Sequence, residues 1–282
     1  MNNLLINARE NKYAIGGFNF NFYDDALGII SAAYELKSPI ILMASEGCVN
    51  FLGVKHIVNF VNQLKDEYSI PIILHLDHGK DIEIIKNCID NKFDSIMYDG
   101  SLLNFEENIK NTKFIADLCH DKGITIEGEL GRISGAEENI ENSKDVFTDP
   151  DSVKEFTERS NVDSLAVAIG NAHGLYKGKP RLDFERLSKI NNISKVPLVL
   201  HGGTGIPYED IQKAIQLGIS KVNVGTEIKI SYIKSIKKYL ETINDNDIRH
   251  LVSMVQNDIK ELVKKYLDIF GTANKYSQLQ SK

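Results

Sequence analysis

The sequence carries no excess of positive charge, no paired cysteines, no long apolar run and no linker. Its 33 Lys and Arg stand against 39 Asp and Glu in 282 residues, a formal net charge of −6. That leaves no basic footprint for nucleic acid. An anionic substrate has to be held by local positive groups or backbone N–H donors, because the global field does not attract it. Cys48, Cys88 and Cys119 are widely spaced, form no CxxC, and are odd in number, so free thiols in a reducing cytoplasm are expected. No apolar run approaches the ~18 residues a membrane span needs. The opening MNNLLINARENKY is polar and charged, without the apolar centre of a secretion signal. No Ser/Gly-rich stretch or composition break divides residues 1–282, which predicts one domain in the cytoplasm.

What the sequence does contain is a repeated alternation of short, β-branched apolar runs with segments of helical periodicity. The runs at 14–19, 39–44, 71–76, 94–98, 124–129, 163–169, 196–200 and 220–224 read as strands. Helices are expected around 23–37, 53–68, 81–91, 104–122, 150–161, 183–192, 207–217 and 226–243, with one more near 247–270. Continuous apolar strands alternating with helices predict a parallel sheet covered on both faces. Eight such units suit a (β/α)8 TIM barrel with an extra C-terminal helix better than an open doubly wound sheet. The one long non-periodic piece, 131–149, reads as a loop over one end of the barrel.

In such barrels chemistry sits at the C-terminal ends of the strands. The residues expected there are Asn19, Ser45 with Glu46, Asp77 with His78, Asp99 with Ser101, Glu127 with Glu129, Gly170-Asn171-Ala172-His173-Gly174, His201-Gly202-Gly203-Thr204-Gly205, and Asn223-Val224-Gly225-Thr226. Three of only seven histidines, His78, His173 and His201, fall at this rim. Each alone would read as a packing histidine. Together they read as ligands of one divalent metal, with Asp77 as an acid/base beside it. Imidazoles suit zinc and neighbouring first-row ions, and three protein ligands leave positions open for substrate oxygens. His56, His75, His120 and His250 read as structural or solvated. The glycine-rich loops after strands 7 and 8 lead into helices, where backbone N–H groups can face a phosphate; the plainer alternative is that the glycines only permit tight turns. Metal, phosphate and carboxylate together suggest proton abstraction beside a carbonyl on a small phosphorylated substrate, which is half of an aldol reaction.

Several stretches carry a resemblance: Gly17-Phe18-Asn19, Leu74-His75-Leu76-Asp77-His78, Asp99-Gly100-Ser101, and the segments 127–131, 167–176, 198–203, 221–229 and 271–274. In combination they resemble the class II, metal-dependent ketose-bisphosphate aldolases. The branch acting on tagatose 1,6-bisphosphate looks nearest, with the fructose 1,6-bisphosphate enzymes next. The resemblance implies zinc on His78, His173 and His201, with cobalt able to substitute. It implies Asp77 as acid/base at the hydroxyl whose C–C bond breaks. Glu137, or Glu138 beside it, matches the loop glutamate that exchanges a proton on the dihydroxyacetone-phosphate carbon. Gly174, Gly202, Gly203, Thr204, Asn223, Val224, Gly225 and Thr226 match the phosphate end, where a monovalent cation is often held. Asp99 and Glu129 match positions that orient a ligand or hold a second metal, and Asn19 and Ser45 are further candidates to touch substrate. A homodimer or homotetramer is the implied assembly, with a small phosphorylated sugar as the partner. Gly79, Leu102 and Gly225 depart from frequent family residues, and Gly79 is expected to bear on the choice between sugar epimers. The alternatives are an aldolase for another phosphorylated keto sugar or keto acid, or a barrel that only supports a catalytic partner subunit.

Overall fold

The structure is a computed structural model and describes residues 1–135, 146–176, 178, 180–243 and 246–276. Eight parallel strands close into a barrel: β1 (Ile15–Asn19), β2 (Ile40–Ser45), β3 (Ile72–Gly79), β4 (Ser95–Tyr98), β5 (Thr125–Leu130), β6 (Ser164–Val167), β7 (Leu198–Leu200) and β8 (Ile219–Val224). Each pairs with its sequence neighbours, and β1 closes the ring by pairing with both β2 and β8. The helices are α1 (Asn2–Glu10), α2 (Tyr23–Glu35), α3 (Glu46–Leu52), α4 (Val54–Glu67), α5 (Ile82–Asp90), α6 (Phe105–His120), α7 (Pro150–Ser160), α8 (Phe184–Ile193), α9 (Tyr208–Gln216), α10 (Thr226–Leu240) and α11 (Ile248–Phe270).

The main core lies between the outer faces of the strands and the helices. Leu42, Leu74, Ile96, Ile126, Leu165, Leu200 and Val222 are buried there among α-helical Ile, Leu and Ala. This explains why the strands read as unbroken apolar runs: their outward residues are buried as well as their inward ones. The expected C-terminal helix is α11. It packs on α2 and α10 and buries Ile259, Val263, Tyr266, Leu267 and Phe270 against the barrel. Gly28 lets the two helices approach closely, since a Cβ there would lie 2.8 Å from the Gln256 carbonyl.

Two helices were not foreseen. The expected helix at 53–68 is preceded by α3, capped by Ser45, whose Oγ accepts from the Cys48 N–H at 3.3 Å. Gly53, at φ 85, separates α3 from α4. The N-terminal segment forms α1, in which Leu5 and Ala8 are buried with Ile15, Ile41 and Met43 at the bottom of the barrel. A nine-residue helix of low apolar content is hard to see in isolation, because the barrel end it covers supplies most of its stability. β6 is shorter than expected because side chains take over its ladder. Ala168 N–H donates to Thr148 Oγ1 and Ile169 N–H to Asn171 Oδ1.

Candidate metal centre

β3 delivers Asp77 and His78 together, which simple strand alternation forbids: if one faces the barrel interior, the next should face the helices. A bulge resolves this. Leu76 pairs with Ile96 and Gly79 with Tyr98, three steps on β3 against two on β4. The extra residue is His78, in the left-handed region at φ 49, a conformation that costs a non-glycine residue about 1–3 kcal/mol and clusters at functional sites. Asp77 keeps its inward direction, in register with Ser45 of β2. Asp77 and His78 thus lie on the strand itself and not beyond it.

The bulge brings His78 to His173 and His201. Ring centroids are 4.7 Å apart for His78–His173, 4.6 Å for His78–His201 and 5.8 Å for His173–His201. One nitrogen from each lies within 4.8 Å of the others. His173 belongs to a two-residue strand, Ala172–His173, paired with Ser134–Gly135. His201 follows β7 and is 1% exposed.

Carboxylates fix two of the rings. His78 Nδ1 lies 3.0 Å from Asp99 Oδ2, and His201 Nε2 lies 3.0 Å from Glu127 Oε1. Protons on those nitrogens leave His78 Nε2 and His201 Nδ1 with lone pairs facing each other at 2.9 Å. Two facing lone pairs require an electropositive centre between them, either a proton or a metal cation. The pKa pattern agrees. Burial opposes charge on His78, but Asp77, Asp99 and Glu129 outweigh it and raise its pKa well above the usual value. Burial, then the neighbouring His78, pushes His173 and His201 well below theirs. These directions favour positive charge among the three rings, in the place where three buried imidazoles suit a zinc-like ion.

Asp77 is 4% exposed. Its carboxylate accepts from Asn19 Nδ2 at 2.8 Å and from Asn223 Nδ2 at 3.2 Å. Burial alone would raise its pKa, but His78, His201, Lys221 and Asn19 hold it below the ordinary value, so the group is an ionised base. Asp99 is likewise held well below the usual carboxylate range, against burial, by His78, Lys80 and Ser101. Glu129 goes the other way: burial, then Asp99, raises it well above the usual range. His78, Asp99 and Glu129 also bring ligand atoms within 4.8 Å of one another. The direct bond from Asp99 to His78 Nδ1 favours an orienting role for that carboxylate.

A small cleft opens beside the histidines, lined by Asn19, Asp77, His173, Gly174, His201, Gly202, Thr204, Asn223, Gly225 and Thr226. The loops after β6 and β7 meet backbone to backbone, and a Cβ on Gly202 would lie 2.1 Å from the Ala172 carbonyl oxygen. Tyr176 pins the crossing, accepting from Ala172 N–H at 2.9 Å and donating to the Gly202 carbonyl at 3.1 Å. Gly203 N–H donates to the Asn223 carbonyl, and Thr204 Oγ1 accepts from Glu227 N–H, tying this loop to the start of α10. Gly225 precedes α10 and gives it no side-chain cap, so the positive end of a 15-residue helix faces the cleft.

Most rim residues expected from sequence meet here, with four qualifications. Val224 is wholly buried, so its side chain packs in the core and only its backbone belongs to the rim. Ser45 is occupied as the cap of α3 while neighbouring Asp77. A side chain at Gly79 would meet the Met97 carbonyl at 2.8 Å, Leu76 at 2.9 Å and Ile85 of α5 at 3.0 Å, so the position faces α5 and not the cleft. Glu137 and Glu138 lie outside the described residues, and the strand before them ends at Gly135, in register with His173.

One layer deeper lie Lys221, which sequence reasoning passed over, and Glu127, which it placed at the rim. Glu127 and Lys221 are 0% exposed and pair at 2.8 Å between Glu127 Oε2 and Lys221 Nζ. His75, read as structural, accepts from Lys221 at its Nε2 (3.2 Å) and donates from Nδ1 to Ser95 Oγ (2.8 Å). Burial, then Lys221, lowers its pKa well below normal, which matches that neutral tautomer. The available signal was charge inside apolar strands: Ile-Glu-Gly-Glu-Leu and Ser-Lys-Val-Asn-Val both place charged or amide residues at alternate, inward positions.

Compared with known proteins, the chain matches the model of a family described as fructose-bisphosphate aldolase class-II over residues 1–275. A fructose-bisphosphate aldolase of Staphylococcus aureus is 40% identical over 281 residues, covering 98% of each chain. Among solved structures, the YdjI aldolase from Escherichia coli K12 is 36% identical with a TM-score of 0.88, covering 98% of both chains. A putative fructose-1,6-biphosphate aldolase from Coccidioides immitis is 33% identical with a TM-score of 0.91, covering 98% of this chain and 97% of that one.

Proposed function

The chain belongs to the class II fructose-bisphosphate aldolase family, a family of metal-dependent lyases, and from that premise we propose that it reversibly cleaves a ketose 1,6-bisphosphate to dihydroxyacetone phosphate and glyceraldehyde 3-phosphate. One observation carries the reading: three imidazole nitrogens converge beside an ionised, doubly hydrogen-bonded Asp77 at the edge of a backbone-lined cleft. His78, His173 and His201 would hold the ion, zinc by the chemistry of three imidazoles, with cobalt as a substitute. Once held there, the ion would supply Lewis-acid polarisation of the ketose carbonyl and charge stabilisation during C–C cleavage.

The chain's own residues supply the rest. Asp77 takes the proton of the C4 hydroxyl during cleavage and returns it in condensation, with Asn19 and Asn223 holding the carboxylate in place. The N-terminus of α10 with Gly174, Gly202, Gly203, Thr204 and Asn223 to Thr226 receives the phosphate of the dihydroxyacetone half, where a monovalent cation would add to the charge balance. Glu137, or Glu138, exchanges the proton on the carbon of that half. Asp99 orients His78. Asn19, hydrogen-bonded to Asp77, and Ser45, in register with it, are further candidates to touch substrate.

The whole chain acts as one barrel domain in the cytoplasm, as a homodimer or homotetramer; among the described residues no helix is long and apolar enough to cross a membrane. The direct test assays fructose and tagatose 1,6-bisphosphate before and after exhaustive chelation, then after zinc or cobalt is returned. Activity that survives chelation, or that borohydride traps as a covalent adduct, overturns the reading. The ratio of rates on the two epimers names the substrate, and light scattering gives the assembly.

A further inference from the structure

We propose that Lys221 and Glu127 form a buried ionic strut that positions His201 as a metal ligand, and that its role is to set metal affinity and not to stabilise the barrel. The inference rests on the three-histidine site proposed above. The strut crosses the barrel interior from β8 to β5. Lys221 Nζ meets Glu127 Oε2 at 2.8 Å, Glu127 Oε1 meets His201 Nε2 at 3.0 Å, and both charged residues are 0% exposed. Each end has a second hold. Lys221 also donates to His75 Nε2 at 3.2 Å, itself bonded to Ser95, and Ser164 Oγ approaches Glu127 Oε2 at 3.4 Å.

Stability gives little reason to keep these charges. Burying two ions costs several kcal/mol of desolvation, and apolar residues of similar volume often do as well or better. The same interior already contains an apolar cluster of Met97, Ala166 and Val199. What the pair supplies is direction. Glu127 as acceptor requires the proton of His201 on Nε2, which leaves the Nδ1 lone pair aimed at His78 Nε2, 2.9 Å away. Lys221 fixes the orientation of that carboxylate and matches its charge, so the strut adds no net charge beneath the ion. Gly17 on β1 leaves the space it needs: a Cβ there would lie 2.8 Å from Met43 Sδ, 3.0 Å from Asn223 Oδ1 and 3.3 Å from Lys221 Cε. Neither residue reaches the substrate, so both are positioning residues.

The test measures zinc affinity by competition with a chromophoric chelator, the visible spectrum of the cobalt-loaded protein, and the unfolding midpoint. It uses wild type, Glu127→Gln, Lys221→Met and the double variant Glu127→Met/Lys221→Met. Each variant is expected to bind zinc about 10–100-fold more weakly and to shift the cobalt bands, while the double variant keeps a midpoint at or above that of wild type. If a single variant does not fold, the double variant decides. Variants that bind zinc as wild type does, with an unchanged cobalt spectrum, overturn the strut and leave the histidine site standing. A wild-type protein that takes up neither metal overturns the site itself.

Discussion

At its N-terminal end the barrel is closed by Leu5 and Ala8 of α1 packed on Ile15, Ile41 and Met43. At the other end the same strands carry Asn19, Ser45 and Asp77, followed by His78, His173 and His201. The bottom buries mainly hydrocarbon, with the hydroxyl of Tyr13 satisfied by Asn7 Oδ1. The top buries carboxylates, imidazoles and an ammonium, each of which needs a partner at hydrogen-bond distance. Strain is divided in the same way, with His78 in the left-handed region at the mouth. One end is built for stability and the other at the expense of it, and the two should come apart under mutation.

The largest expected effect is at the mouth. Removing the metal should take turnover to background while the fold, measured by circular dichroism, persists; loss of the fold along with the metal would join the two ends that the comparison separates. Next, Asp77→Asn should keep stoichiometric zinc and lower kcat by about 10²–10⁴, the usual contribution of a general acid/base. A variant with near-normal kcat would remove Asp77 from that role. At the bottom, Leu5→Ala should cost about 2–5 kcal/mol of stability through the cavity it leaves and lower the melting temperature, with kcat/KM unchanged below the transition. A loss of turnover without a loss of stability would break the comparison from its other side.

The smallest effect is a pH slope. In the metal-free protein the pKa of His78 is raised, by Asp77 and Asp99 acting against burial, so an incoming cation must displace its proton. Zinc affinity should therefore strengthen as pH rises toward that raised pKa, by about tenfold per pH unit for one displaced proton, and level off above it. A flat profile near neutral pH would show that His78 holds no proton to displace.

Much of this was legible in the chain itself. Local apolar patterning fixes strand and helix type, because a strand buried on both faces has to be apolar throughout, and eight alternations leave few closures other than a barrel. The rim residues were legible for the same reason: once strand ends are known, their polar residues face one mouth. The N-terminal helix, the bulge at His78, the outward aim of Gly79 and the Lys221–Glu127 strut were not. α1 is stable because of the barrel end beneath it, and the bulge exists only in register with β4. Gly79 is explained by Ile85 and the Met97 carbonyl, which belong to other elements. A buried ion pair joining residues 94 positions apart leaves no local pattern beyond charge in an apolar strand. Short-range preferences decided the elements, and contacts between distant strands decided which side chains meet.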